Sequence, residues 1–332
     1  MTPGPPRTAV VLLNMGGPDS EAAIRPFLQN LFSDPEILSF PLAGLVRPFL
    51  ARTIAAKRAP RVLPNYRAIG GKSPLREISE AQAAALQAEL GGREAGFYVQ
   101  VAMRYWHPFA AEAAAAIRAW NPSRLVVLPL YPHYCRATTG SSLRDLEAAL
   151  AAAGLASLPR RVVRAYPDFG PYVDALAETV REGLARLPGA TVLYSAHGLP
   201  QKIVDRGDPY LDHVRRTVAA LAARLPGVPH RLAFQSKVGP VQWLKPSLQE
   251  VLRELAAAGV PDLVVVPISF VSDHIETLHE LDIEYRETAT DLGIRGYHRS
   301  AALNTRPAFI RALAAQVRQA LEVPEARCAQ DA

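Results

Sequence analysis

The stretch DLVVVPISFVSDHIETLHELDIEY, residues 262–285, joins an apolar, β-branched run to a sequence of carboxylates and imidazoles. Glu276, Glu280 and Glu284 recur at every fourth position, which on an α-helix places them on one face. A solvated acidic face is the plain structural reading of such a row. This row, however, begins at the carboxyl end of an expected strand, where open α/β sheets bind their ligands. Asp273 and His274 stand just before it. A second imidazole, His197, follows the apolar run Val192–Ala196 and precedes Gly198, where the backbone turns and the side chain can leave the sheet. A lone histidine in such a place is commonly structural. Pairing it with Glu276, from another strand end of the same half, favours chemistry. Imidazole plus carboxylate with open positions suits a borderline divalent cation such as ferrous iron, and the same two groups can act as base and proton acceptor. Asp273 and His274 either orient that pair or cap the helix after Ser272.

Strands must position these groups. Apolar runs predict them at Thr8–Leu13, Phe97–Met103, Leu125–Leu130 and Val162–Ala165 in the first half. In the second half they fall at Val192–Ala196, Arg231–Gln235, Leu263–Phe270 and Gly293–His298. The halves echo each other: VLYSAHGLP (192–200) parallels VVLLNMGGP (10–18), and DLVVVPI (262–268) parallels RLVVLPL (124–130). That register sets His197 opposite Met15, whose thioether cannot accept a proton. The expected fold is therefore α/β, with two similar doubly wound lobes, each with a four-stranded parallel sheet, facing across a cleft. The lobes are expected at 1–165 and 166–332, with a closing helix at 309–321 in the second. Between the matched landmarks the first half is 44 residues longer, which places an insertion at about 25–61.

That insertion is densely apolar, broken by Pro26, Pro35, Pro41 and Pro48. No acidic residue lies between Glu36 and Glu77, whereas Arg47, Arg52, Lys57, Arg58, Arg61, Arg67, Lys72 and Arg76 do. Eight local cations exceed the whole net charge of +6, so the rest of the chain is slightly acidic and no nucleic-acid footprint is expected. Short apolar helices with a basic flank suit an anionic bilayer surface, a lip over a greasy ligand, or an ordinary helical cap. With 332 residues and 49% hydrophobic content the chain can bury a large core. Its apolar stretches are too short to span a membrane, and its start lacks the order of a secretory signal. Cys135 and Cys328 are the only cysteines, so neither a disulfide framework nor a CxxC site is expected, and a reducing cytoplasmic location fits. Thr138-Thr139-Gly140-Ser141-Ser142 opens a helix and reads as an anion cradle or as simple capping; a flavin site there is a competing reading.

Long motifs, in order, then carry a resemblance. LLNMGGP (12–18), YRAIGGKSPL (66–75), RYWHP (104–108), TTGSS (138–142), YSAHGLP (194–200), VDRGDPY (204–210), QSKVGPVQWLKP (235–246) and DHIETLHELDIEY (273–285) together resemble the ferrochelatase family. Its members insert Fe²⁺ into a porphyrin in the last step of haem synthesis. The resemblance implies that His197 and Glu276 are the metal-binding and catalytic pair. It also implies that Asn14, Met15, Arg104, Tyr105, Trp243 and His274 line the porphyrin site. Asp273, Glu280 and Glu284 would belong to a proton or metal path. Porphyrin and ferrous iron are then substrates, and the 25–61 lip takes the macrocycle from a membrane surface. Some members carry an iron–sulfur cluster; two cysteines cannot supply four thiolates, and Arg136 stands at one cluster position, so no cluster and no permanent cofactor are expected. The coproporphyrin branch has tyrosine where Met15 stands, which points to protoporphyrin. Coproporphyrin ferrochelatase, another tetrapyrrole chelatase and a haem carrier without chemistry are the competing readings.

Overall fold

The computed structural model describes residues 5–38, 43–237 and 241–322. Expectations for positions 39–42 of the lip, for 238–240 in QSKVGPVQWLKP, and for Cys328 lie outside the described residues. The chain divides into two compact units. One comprises the described residues of 1–131, 136–165 and 310 onward; the other comprises 132–135 and 166–309.

In the first unit β1 (Thr8–Asn14), β2 (Phe97–Met103), β3 (Arg124–Pro129) and β4 (Arg160–Val162) form a parallel sheet in the order β2-β1-β3-β4. In the second, β5 (Thr191–His197), β6 (His230–Gln235), β7 (Asp262–Pro267) and β8 (Gly296–Arg299) repeat that order as β6-β5-β7-β8, again all parallel. Every residue of β1 is buried, as the continuous apolar run of a two-faced parallel strand requires. Ala9, Val11 and Leu13 pack with Ala113, Ile117, Leu146 and Leu150 of covering helices, so alternate residues serve opposite faces. Leu13 pairs with Pro129 and Ser195 with Pro267, so Met15 and His197 each stand two residues beyond equivalent pairs. The fourth and eighth strands differ by a few residues from the expected spans, because half-buried edge strands have weaker apolar patterns.

The lip differs more. Instead of several short helices it forms α1 (Ile24–Ser33) and one long helix, α2 (Ala43–Ala68), which continues through Pro48, Pro60 and Pro64. Each proline removes one backbone donor, but buried Ala51, Ala55 and Tyr66 on α2, and Phe27, Leu28 and Phe32 on α1, supply packing that outweighs those losses. The glycine turn at Gly70-Gly71 leads into α3 (Leu75–Glu89).

The unit boundaries correct two expectations. The closing helix, Pro307–Glu322, belongs from Ile310 onward to the first unit, where Arg318 donates to the Glu89 carbonyl at 3.0 Å. Residues 132–135 belong to the second unit: Tyr166 N–H donates to the Pro132 carbonyl at 2.9 Å, and Tyr134 N–H to His213 Nδ1 at 3.1 Å. Chain order does not decide which apolar surface a terminal helix covers.

Candidate active site

His197 ends β5, and Glu276 begins a π-helical segment, Glu276–Glu284, beyond the carboxyl end of β7. Their side chains meet: His197 Nδ1 lies 2.7 Å from Glu276 Oε2. If Nδ1 donates to the carboxylate, the other ring nitrogen, Nε2, carries the free lone pair, and the ring is one-third exposed. The His197 backbone is clamped on both sides. Its N–H donates to Ser269 Oγ at 3.2 Å, and its carbonyl accepts from Tyr210 OH at 2.8 Å. Gly198 is required here by close approach rather than by a turn, since a Cβ would sit 2.7 Å from the Gln235 carbonyl and 3.3 Å from the Trp243 ring. Its φ is not left-handed, so glycine is needed here for space and not for backbone conformation. Trp243 thus packs over the residue after His197, and Phe270 stands edge-on to the His197 ring at 6.2 Å.

The carboxylates are joined by groups the sequence reading left out. Ser236 Oγ lies 2.6 Å from Glu276 Oε2 and 2.7 Å from Glu280 Oε2. One hydroxyl proton cannot serve two anions, so the short contacts require a proton on one carboxyl. Burial and the Glu276 charge push Glu280 up to about 7, which makes it the holder. Burial works against the charge on Glu276 as well, but His197 beside it holds its carboxyl down, to about 2. Burial also works against His197 charging; the Glu276 anion overrides this and raises the imidazole above its ordinary value. Gln235 Nε2 donates to Glu280 Oε2 at 3.1 Å and to the Glu276 carbonyl at 3.2 Å, while Ser195 Oγ fixes the other end of the Gln235 amide at 2.6 Å. Ser236 holds φ +66°, a left-handed conformation costly for a non-glycine residue, and strain of this kind collects at working sites.

The rest of the expected acidic path divides. The wider turn of the π-helix keeps Glu280 beside Glu276, whereas Glu284 is half-exposed and lies 3.3 Å from His279 Nδ1. Asp273 faces Arg299 at 3.0 Å and accepts from Thr277 and Asn304, so it is engaged in fixing the start of the π-helix. His274 Nε2 stands 3.9 Å from Glu276 Oε1, and burial lowers its pKa, so it remains a neutral neighbour.

In the first unit Asn14 is buried, donating to Ser79 Oγ at 3.0 Å and accepting the Met15 N–H at 2.8 Å; Met15 is half-buried. Tyr105 is 1% exposed, and its hydroxyl donates to Asp34 at 2.8 Å, which makes it a support for its neighbours instead of a wall of an open site. Arg104 donates to Ser141 Oγ at 2.7 Å and pairs with Asp34 at 3.1 Å and Asp145 at 3.6 Å. Ser141 in turn donates to Asp34, so one of the four hydroxyls of the expected anion cradle at TTGSS is engaged by the chain's own carboxylate, whereas the buried Thr139 and Ser142 hydroxyls have no hydrogen-bond partner among the described residues. Burial opposes the charge on Asp34, but donors from Ser141, Glu36 N–H and Tyr105, with Arg104 alongside, keep its pKa below the ordinary value. Replacing Asp34 with alanine takes the nearer of two carboxylates from Arg104 and leaves the buried Tyr105 and Ser141 hydroxyls without their acceptor, and a loss of about 3 kcal/mol in unfolding free energy is expected. Urea titration reads it; an unchanged midpoint would show the pair to be inert.

With this geometry in place, comparison with known proteins is decisive. A family model described as Ferrochelatase matches residues 7–321. The chain belongs to the ferrochelatase family. The ferrochelatase of Geotalea daltonii is 50% identical over 94% of this chain and 97% of its own length. That of Geobacter metallireducens is 52% identical over 95% and 98%. Among solved structures, SirB from Bacillus subtilis with Fe³⁺ superposes with a TM-score of 0.61 over 97% of this chain and 98% of its own, at 12% identity. A cobalt complex of the sirohydrochlorin chelatase SirB gives 0.56 at 13% identity, over 97% and 98%. These likenesses show the fold. As a member of the ferrochelatase family the chain is an enzyme that inserts iron into a porphyrin. No helix among the described residues is long and apolar enough to cross a membrane.

Within this ferrochelatase-family enzyme, Ser236, Gln235, Ser195, Tyr210 and Asp34 are the contributors that sequence reasoning missed. QSKVGP carried two of them as a motif, but nothing in the motif alone shows that its serine reaches two glutamates 40 and 44 positions away.

Proposed function

We propose that this enzyme inserts Fe²⁺ into protoporphyrin IX to give protohaem, the terminal step of haem synthesis. The observation that supports the reading best is the 2.7 Å contact of His197 with Glu276, extended through Ser236 to Glu280. Two pyrrole N–H protons must leave as the metal enters. His197 Nε2 accepts them one at a time, releasing the first to solvent before it takes the second, and the Glu276 carboxylate stabilises the imidazolium that forms each time. Glu280, with a pKa near 7, exchanges protons readily at neutral pH, and Ser236 connects it to Glu276. Before proton transfer the same imidazole and carboxylate supply an N and an O donor for the incoming ferrous ion. Trp243 and Phe270 offer aromatic contacts to the macrocycle, which bring binding energy to bear on bending it toward the metallated form. Asn14, Met15, Arg104 and His274 are the further proposed contacts.

Met15 supports protoporphyrin over coproporphyrin, since a thioether favours the less charged ring edge. Two cysteines support a protein without a resident iron–sulfur cluster, and the reduced thiols suit the cytoplasm. The apolar, basic lip supports peripheral contact with a membrane. The test is spectral. The protein is mixed anaerobically with Fe²⁺ or Zn²⁺ and either protoporphyrin IX or coproporphyrin III, and metalloporphyrin bands are followed. Faster turnover of coproporphyrin would transfer the assignment to that substrate, and no turnover of either would leave a binding protein.

A further inference from the structure

One basic cavity takes no part in the chemistry above. Arg25, Pro26, Gln29 and Asn30 of α1, with Arg52 of α2, line a cavity of about 320 Å³ in the first unit. Both guanidinium groups are exposed, and among the described residues neither has an ion-pair, hydrogen-bond or ring partner. Their neighbours are engaged: Arg67 forms a two-pronged pair with Glu21, Arg47 donates to the Leu38 carbonyl at 3.2 Å, and Arg58 lies over the Phe32 ring at 5.5 Å. Two uncommitted guanidinium groups in one cavity, with amide side chains beside them, match an oxyanion.

The surroundings select the source of that oxyanion. On α2, Val46 and Phe49 are 47% and 76% exposed, and each stands three residues from the next in the series 46, 49, 52. Residues three apart are neighbours on a helix, so the apolar pair adjoins Arg52. The segment holds eight cations between Glu36 and Glu77 and no acid. A phosphate group flanked by an apolar phase meets both features at once, whereas a free anion uses only the arginines. We infer that this cavity binds the phosphate of an anionic phospholipid headgroup while Phe49 and Val46 enter the acyl layer beside it. The inference rests on the proposed peripheral contact of the lip and gives it a specific lipid subsite.

Sedimentation of the full chain with vesicles tests it, using phosphatidylcholine alone or with a minor share of phosphatidylglycerol. The variants are Arg25→Ala/Arg52→Ala, the charge-matched Lys57→Ala/Arg61→Ala from the same helix, and Phe49→Ser. The cavity variant is expected to lose phosphatidylglycerol-dependent partition by about tenfold more than the charge-matched variant, beyond the diffuse attraction that any two cations contribute. Phe49→Ser is expected to weaken binding to both vesicle types. Equal losses in the two double variants would overturn the cavity and leave lip contact standing as diffuse charge. No binding of the unaltered chain to either vesicle would overturn the contact and the cavity together. Porphyrin affinity is read in parallel by fluorescence quenching: weakened porphyrin binding with unchanged vesicle binding would give the cavity to a substrate carboxylate and overturn the lipid assignment. Circular dichroism verifies that each variant is folded.

Discussion

Replacing His197 with alanine is expected to abolish metal insertion while porphyrin still binds. The imidazole is the one group at the end of β5 that can hold a proton reversibly near neutral pH, and Met15, at the equivalent place beyond β1, cannot. Loss of a positioned base costs about 10² to 10⁴ in rate. Loss of a metal donor adds to that, so residual turnover should fall below detection. Porphyrin contacts proposed for Trp243 and Arg104 are untouched, so fluorescence quenching should give an affinity close to that of the unaltered enzyme. Anaerobic assays with Fe²⁺ and Zn²⁺ supply the rate. Turnover retained in the alanine variant would remove His197 from the chemistry and oblige another group, Glu280 first, to act as base.

A glutamine at position 276 should lower the rate and shift its pH dependence. To accept a proton, His197 must be neutral. Burial favours the neutral form, but the Glu276 anion at 2.7 Å outweighs it and raises the imidazole pKa above 6.5. Activity of the unaltered enzyme should therefore fall as pH drops through a value above 6.5. Glu276→Gln keeps the side-chain size and removes the charge. Burial then dominates, the imidazole titrates lower, and the acid limb of the rate profile moves to lower pH. Glu280 changes in the same variant: freed from the neighbouring anion, it falls from about 7 toward the ordinary carboxylate range. The maximal rate should drop by about 10², because no carboxylate stabilises the imidazolium. A profile of kcat/KM against pH decides the matter. An acid limb that stays in place would mean that His197 is not the group being read.

Much of this was legible in the chain. Strands with continuous apolar runs have a period that survives without neighbours, so β1, β3, β5 and β7 stand out, and the repeat between YSAHGLP and LLNMGGP carries the two-sheet topology. The approach of His197 to Glu276 was legible for the same reason, because both sit where strands of one sheet end. The acidic row was only half legible. Its spacing places the three carboxylates on one side of the helix, but which of them meet depends on what packs over that side: Ser236 and Gln235 gather Glu276 and Glu280, whereas Glu284 is exposed. The closing helix was expected in the second half because it follows it in sequence, yet it belongs to the first unit from Ile310 onward.

Sequence by itself determined the α/β class, the internal duplication, the confinement of the net positive excess to 47–76, and the residues able to do chemistry. Tertiary structure alone decided which of those residues share a proton and which only hold others in place. Asp34 reaches Tyr105 across 71 positions and Ser141 across 107, and Ser236 reaches Glu276 across 40. The reason is range. Propensity and hydrophobic period act over a few residues and write themselves into neighbouring letters, whereas a side-chain hydrogen bond forms between whatever the packed backbone brings within about 3 Å.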